Sequence, residues 1–320
     1  MTTHEFYFPS SDGKHSIRAK EWRPDKEPKA IVYLAHGIEE HIDRYEGFAE
    51  FLTKNNILMA ANDHLGHGRS AFPPEDLGYF ADQDGWKFVV EDIKSFLETQ
   101  WHLHPDIPLF VFGHSMGSFL ARCFAIMNPH ADVKGYVLSG TGNASRFLSG
   151  AGAILCDAEI RAQGPRGHSQ KLGNLIFGSY NKKFQGRTSF DWLTRDDAVV
   201  DRYIEDPFCG FNATNSMYRD LIAQIRYVTD IRNIRKMNRR TPILLVSGSM
   251  DPVGGYGKEV VRLHGILTRE HFEDITYILY ENARHEILNE LQKEDVMEDI
   301  LEWLESRIGN EAARSDHGEQ

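Results

Sequence analysis

The sequence predicts an α/β fold: a mostly parallel central sheet with an initial antiparallel hairpin, helices on both faces and an inserted helical cap. Three observations carry this. Short apolar runs alternate with amphipathic stretches of helix length. One of those runs leads straight into a Gly-x-Ser-x-Gly turn followed by a helical pattern. The alternation then stops for roughly a hundred residues before it resumes, which exceeds an ordinary connection.

The elements follow in order. Glu5 to Phe8 and Ser16 to Trp22 alternate in polarity around the turn residues Pro9, Ser10, Ser11, Asp12 and Gly13, which is a hairpin pattern. Ala30 to Ala35, Ile57 to Ala61, Leu109 to Phe112, Tyr136 to Leu138, Ile243 to Val246 and Ile275 to Tyr280 are compact apolar runs. Such runs suit parallel strands buried on both faces. Tyr45, Phe48, Ala49 and Leu52 share one helical face, as do Phe88, Ile93, Phe96 and Leu97. Between residues 143 and 240 no buried-strand run occurs. Met217, Leu221, Ile225 and Val228 form a helical stripe there, so the segment is expected to be a helical cap over one end of the sheet. The expected division is a core of residues 1–142 and 241–308, a cap of residues 143–240, and a polar, disordered tail of residues 309–320. Val296, Ile300, Leu301, Leu304 and Ile308 make the last amphipathic helix of the core.

Composition narrows the function. The chain has 320 residues, 41% of them hydrophobic and 26% charged, as in an ordinary globular protein. The net charge of −11 argues against nucleic acid as a partner, since binding there rests on neutralising phosphates. No apolar run approaches the length of about 18 residues that a membrane helix needs. Residues 1–16 carry no signal-peptide core. Three cysteines, Cys123, Cys156 and Cys209, are too few for a disulfide scaffold and suit the cytoplasm, the expected location. Cys156 and Cys209 both fall in the cap, where free thiols are expected over a pair.

The chemistry centres on Gly113-His114-Ser115-Met116-Gly117. A strand running into this motif holds the Ser115 hydroxyl out above the sheet, and the amide of Met116 at the helix start faces a developing oxyanion. A serine nucleophile needs a base, and the base an orienting carboxylate. Asp251 follows the strand at Ile243 and His285 follows the strand at Ile275, in the order Ser, Asp, His and at strand ends. Taken singly, Asp251 reads as a turn acid before Pro252 and His285 as a surface histidine; with Ser115 they form an ordered set. The second oxyanion donor is expected from the loop after the strand at Ile31, at the amide of Ile38, with His36 and Gly37 shaping the turn. Glu40, His41, Arg44 and Tyr45 are expected to fix that loop, and Glu39 to be solvated at a helix start.

Together these residues resemble the monoacylglycerol lipase and lysophospholipase group of the α/β-hydrolase superfamily, which includes serine-aminopeptidase-like enzymes. His36-Gly37-Ile38-Glu39-Glu40-His41-Ile42-Asp43-Arg44-Tyr45 is similar to the group's oxyanion loop. Asp63-His64-Leu65-Gly66-His67-Gly68-Arg69-Ser70 is similar to its second characteristic loop, Gly113 to Ser118 to its nucleophile turn, and Asp251-Pro252 and His285 to Glu290 to its acid and base segments. The resemblance spans residues 5–308 and implies Ser115 as nucleophile, Asp251 as acid, His285 as base, and a cap over an acyl pocket. Ile38 stands where members often carry a smaller residue, and the cap is the weakest part of the match, so chemistry transfers better than substrate.

The expected reaction is hydrolysis of a carboxylic ester, small or lipid, through an acyl-enzyme, by a monoacylglycerol lipase or lysophospholipase-like esterase. No cofactor or metal is expected: the 15 histidines form no His-Glu-x-x-His helix. A peptidase or amidase of the same fold remains the main alternative, because Asp157, Glu159, Asp196, Asp197, Glu205 and Asp206 are available in the cap to hold an amino terminus. A non-catalytic binding protein is a third reading. Ser115 standing where a carboxylate would be needed argues against a dehalogenase. Arg232, Arg235, Lys236, Arg239 and Arg240 form a basic cluster, read as a solvated helix end rather than a lipid contact. Aromatic and aliphatic groups of the cap, Ile176, Phe177, Phe190, Trp192 and Phe211 among them, are divided between cap packing and an acyl channel; transient membrane-surface contact through the cap is the associated expectation. The sequence does not specify an oligomeric state.

Overall fold

The computed structural model of the protein describes residues 1–143, 146–184 and 186–315. In chain order the strands are β1 (Thr2–Pro9), β2 (Ser16–Arg23), β3 (Ala30–Ala35), β4 (Ile57–Asn62), β5 (Leu109–His114), β6 (Gly135–Ser139), β7 (Ile243–Gly248) and β8 (Ile275–Tyr280). The helices are α1 (Glu46–Lys54), α2 (Gly85–Leu103), α3 (Met116–Met127), α4 (Arg146–Gln163), α5 (Gln170–Ile176), α6 (Asp197–Glu205), α7 (Asn215–Thr229), α8 (Ile231–Ile234), α9 (Lys258–Arg269) and α10 (Lys293–Ser315). Among the described residues the strands form one sheet in the order β1-β2-β4-β3-β5-β6-β7-β8. β1–β2 and β2–β4 pair antiparallel, and the remaining neighbours pair parallel.

The sheet is covered on both faces, and the apolar runs show why. In β3, Ile31, Tyr33 and Ala35 enter one core with α2, α3 and α7, while Ala30, Val32 and Leu34 enter the other with α1 and α10. A strand buried on both sides has no polar face to alternate. α10 fills its side with Val296, Ile300, Trp303 and Leu304, and the Trp303 ring meets Phe110 edge-on at 6.2 Å. Each large side chain buried this way contributes about 1.5–3 kcal/mol. β8 lies at the sheet edge, and its Thr276 and Tyr277 are exposed accordingly.

Between β6 and β7 the described residues form α4 to α8 and no strand. α7 buries Met217, Leu221 and Val228 of its expected stripe, while Ile225 is half-buried. The backbone of α10 continues to Ser315, so the tail expected to be disordered from Gly309 begins as helix; Glu311, Ala312, Ala313 and Arg314 are all good helix formers. Residues 316–320 of that tail lie outside the described residues. The cysteines are buried and free. In the basic cluster Arg232 pairs with Asp230, Arg235 with Glu270 and Arg240 with Glu273, at a solvated surface. Among the described residues no helix is long and apolar enough to cross a membrane.

Candidate active site

The parallel strands end together, and the loops after β3, β5, β6, β7 and β8 meet over their carboxyl ends. β5 ends at His114 and α3 begins at Met116, so Ser115 alone makes the turn. Its backbone lies at φ 53° and ψ −119°, a strained region for a residue with a Cβ. The surroundings hold it there. The Ser115 N–H donates to the Ser139 carbonyl at 2.9 Å, and the Ser118 hydroxyl donates to the Ser115 carbonyl at 2.6 Å. The flanking glycines are needed for space: a Cβ on Gly113 would stand 2.5 Å from the Gly117 carbonyl oxygen, and one on Gly117 2.0 Å from that of Ala35.

Asp251 and His285 meet from the loops after β7 and β8. His285 Nδ1 and Asp251 Oδ1 are 3.0 Å apart, and both side chains are buried. Asp251 also accepts from the Val253 amide at 2.8 Å and the Ser247 hydroxyl at 3.1 Å. Burial works to raise the Asp251 pKa, but the His285 charge and these donors outweigh it and the net shift is downward. For His285, burial works downward; Asp251, its hydrogen bond, Glu286 and Glu40 outweigh it and the net shift is upward. The imidazole lies against His114, with ring centroids 4.7 Å apart, and Trp192 at 5.0 Å. Gly140, after β6, makes room for it: a Cβ there would come within 2.8 Å of the ring. Burial, then the neighbouring His285, holds His114 down at about 4, so it is neutral near pH 7.

Ser115, Met116, Ile38 and His285 line one cavity of about 590 Å³ beneath α5 and α7. Among the described residues the amides of Ile38 and Met116 donate to no other group, whereas that of Gly37 donates to Glu40 at 2.5 Å. Residues 26–292 match the family described as "Serine aminopeptidase, S33".

The chain belongs to that family.

Its relatives include the monoglyceride lipase of Rattus norvegicus, 27% identical, with 95% of this chain and 91% of the rat protein aligned. The monoacylglycerol lipase of Mycolicibacterium smegmatis is 28% identical, with 90% and 92% aligned. Among solved structures, a thermostable carboxyl esterase from Bacillus coagulans superposes with a TM-score of 0.89 at 27% identity, over 96% of this chain and 99% of the esterase. This places the chain in the α/β-hydrolase fold, with the monoacylglycerol lipase-like group.

Glu40, Arg44 and Tyr45 fix the loop after β3, as the sequence led us to expect. Glu40 accepts the Gly37 amide and the Tyr45 hydroxyl (2.7 Å), and pairs with Arg44 at 2.6 Å. Arg44 also grips both oxygens of Glu286 at 2.7 Å each, which ties the loop after β3 to the loop bearing His285. The sequence signalled the loop but not its partner, 242 residues away. Trp192 was legible only as one of many cap aromatics. Its carbonyl accepts the His285 amide at 3.3 Å.

Glu39 corrects an expectation. It is not solvated but 7% exposed, lines the cavity, and sits at φ 59°. The loop folds under the inserted helices: Gly210 N–H and Tyr203 Oη both donate to the Glu39 carbonyl at 3.0 Å. His36, His64 and His67 are buried together, with 4.1 Å between the tilted rings of the first two and His67 edge-on to both, and burial lowers all three pKa values. His41, Asp206 and Cys209 bring potential metal-ligand atoms within 4.8 Å of one another, but His41 and Asp206 are hydrogen-bonded to each other at 2.9 Å.

Proposed function

We propose that this protein hydrolyses carboxylic esters of fatty acids, monoacylglycerols or lysophospholipids, through an acyl-enzyme on Ser115. The observation that carries this reading is the strained turn of Ser115, which faces the same cavity as a buried, Asp251-bonded His285. The protein is a serine ester hydrolase, as the ester-cleaving names of its relatives indicate. Amide cleavage is the less favoured reading for the same reason.

His285 takes the Ser115 proton as the hydroxyl oxygen attacks the ester carbonyl. Asp251 holds the imidazole with Nδ1 protonated and stabilises the imidazolium that forms. The amides of Ile38 and Met116, unspent on other groups, receive the oxyanion, and the dipole of α3 adds to them. The alcohol leaves with the proton from His285. Water then attacks the acyl-enzyme by the reverse route. The residues themselves supply the base, the nucleophile and the charge stabilisation.

Residues 143–240 serve as the cap in this reading, and their helices roof an acyl site. Phe119, Leu221, Ile225, Ile176 and Phe177 give the cavity walls that suit a fatty chain. On the outside, Ile154 of α4 and Leu175 of α5 are 73% and 50% exposed, which supports transient contact with a lipid surface. Three free thiols accord with a cytoplasmic location.

The test is hydrolysis by purified protein of aryl acetate, long-chain monoacylglycerol, lysophospholipid and an aminoacyl arylamide. Ester cleavage that favours the long-chain lipids is expected. Ser115→Ala should remove nearly all turnover and leave thermal unfolding unchanged. Undiminished ester cleavage by that variant would refute the assignment, and cleavage of the arylamide alone would move the activity to peptides.

A further inference from the structure

The wall of the cavity is graded. Asn174 of α5 and Asn212 before α7 are exposed where it opens. Further in stand the buried Glu39 and Tyr218, followed along α7 by Leu221 and Ile225. Tyr218, Leu221 and Ile225 fall on one face of α7, so its cavity side changes from polar to apolar along the helix.

The side-chain contacts of Glu39 and Tyr218 are long, and the Tyr218 hydroxyl also faces the Ala213 backbone. The Tyr218 hydroxyl lies 3.5 Å from Glu39 Oε1 and 3.5 Å from Asn212 Oδ1, at the outer limit for hydrogen bonding and well beyond the usual O–H···O spacing of about 2.7–2.8 Å. Among the described residues the Glu39 carboxyl has no other partner, and no cationic side chain pairs with it. Burial raises its pKa to about 8, so the carboxyl is protonated at neutral pH and both donates and accepts. Glu39 also carries the cost of a positive φ, 59°, where most residues other than glycine are strained. A strained turn and a buried acid at one position on a cavity wall are best accounted for by something that the acid binds.

We propose that Glu39 and Tyr218 form a polar subsite of the cavity that binds a neutral hydroxyl group of the substrate, next to the apolar wall that holds its chain. The inference rests on the ester-hydrolase reading above. A neutral carboxyl and a phenol 3.5 Å apart can both accept from and donate to an alcohol whose oxygen stands beside the pair and bridges it. An anionic group there would remain unpaired, because no cation faces the site. The hydroxyl comes either from the alcohol part of the ester, as in a glyceryl group, or from an oxygenated acyl chain.

Three esters of one chain length distinguish these sources: methyl decanoate, methyl ω-hydroxydecanoate and monodecanoylglycerol. For the parent protein, kcat/KM should be about tenfold higher for at least one hydroxyl-bearing ester than for methyl decanoate, with the difference in KM. A gain on monodecanoylglycerol alone assigns the hydroxyl to the alcohol part, and one on the hydroxydecanoate assigns it to the chain. Tyr218→Phe and Glu39→Leu should bring the ratio close to one, and the near-isosteric Glu39→Gln should keep part of it. A ratio near one in the parent, or a ratio unchanged by both Tyr218→Phe and Glu39→Gln, overturns the subsite while ester hydrolysis stands. Calorimetric binding of the same three esters to Ser115→Ala reads the ratio without turnover. Absence of hydrolysis by the parent therefore sinks the ester reading, and the binding ratio still decides the subsite.

Discussion

Asp251 and His285 are 34 residues apart in sequence and meet through one 3.0 Å contact, on which the pH behaviour depends. As the proposed base, His285 acts only when neutral, so activity should fall as pH drops through its pKa. Because that pKa is raised, the acid limb of kcat/KM should lie above the ordinary histidine value of about 6.5. In Asp251→Asn the opposing effect of burial dominates; the limb should move to lower pH, and kcat should fall on the order of ten-thousandfold. A pH–rate profile of the two proteins checks this, and an unmoved limb would count against His285 as the base. Glu39 makes a prediction of the opposite kind. The unfolded chain releases its proton near the ordinary 4.5, and the folded chain holds it to about 8. Between those values the folded form binds the extra proton, so stability falls as pH rises. Glu39→Gln should flatten the decline of Tm over that interval; an identical slope in both proteins would show that the carboxyl is not held protonated.

At the scale of elements, the decisive link joins the loop after β3 to the loop after β8. Arg44, Glu40 and Glu286 are each largely buried, and the single Arg44 cation pairs with both acids. Burial works against the ionised Glu286, yet Arg44 outweighs it and the pKa is lowered, so this group stabilises the fold above the ordinary carboxyl pKa and loses that effect as pH falls through the lowered one. Arg44→Met leaves two buried carboxylates without their cation and should cost about 3–5 kcal/mol in denaturant unfolding. It should also lower kcat, because Glu40 holds the Gly37 amide next to Ile38, the proposed oxyanion donor. A loss under about 0.5 kcal/mol would show that the network does not support the fold. The sequence showed Glu40, Arg44 and Tyr45 as residues that fix this loop, but not the link to Glu286. Nothing local distinguishes Glu39, which folds inward, from an ordinary solvated acid, because what buries it is Gly210, Tyr203 and Tyr218 from the inserted helices.

The whole molecule is a sheet whose strand ends form the floor of a cavity and whose inserted helices form its roof. The proposed acyl site lies between the two. Ile225 reaches the cavity from α7, so Ile225→Trp should shift ester preference towards shorter acyl chains, measured as the chain-length profile of kcat/KM. An unchanged profile would mean that the chain lies elsewhere in the cavity.

The sequence by itself determined the strand-end placement of Ser115, Asp251 and His285. Apolar runs that must be buried on both faces specify a covered parallel sheet, and Ser115, Asp251 and His285 each follow such a run, so strand-end placement was legible from short-range pattern alone. The tertiary structure decided what surrounds those residues. Trp192 against His285, Arg44 against Glu286, and Glu39 beneath Tyr218 all join segments far apart in the chain. Periodicity reports whether a residue is buried within its own element; which distant side chain desolvates or charges it depends on how the elements pack, and that sets the pKa values and the polarity of the cavity.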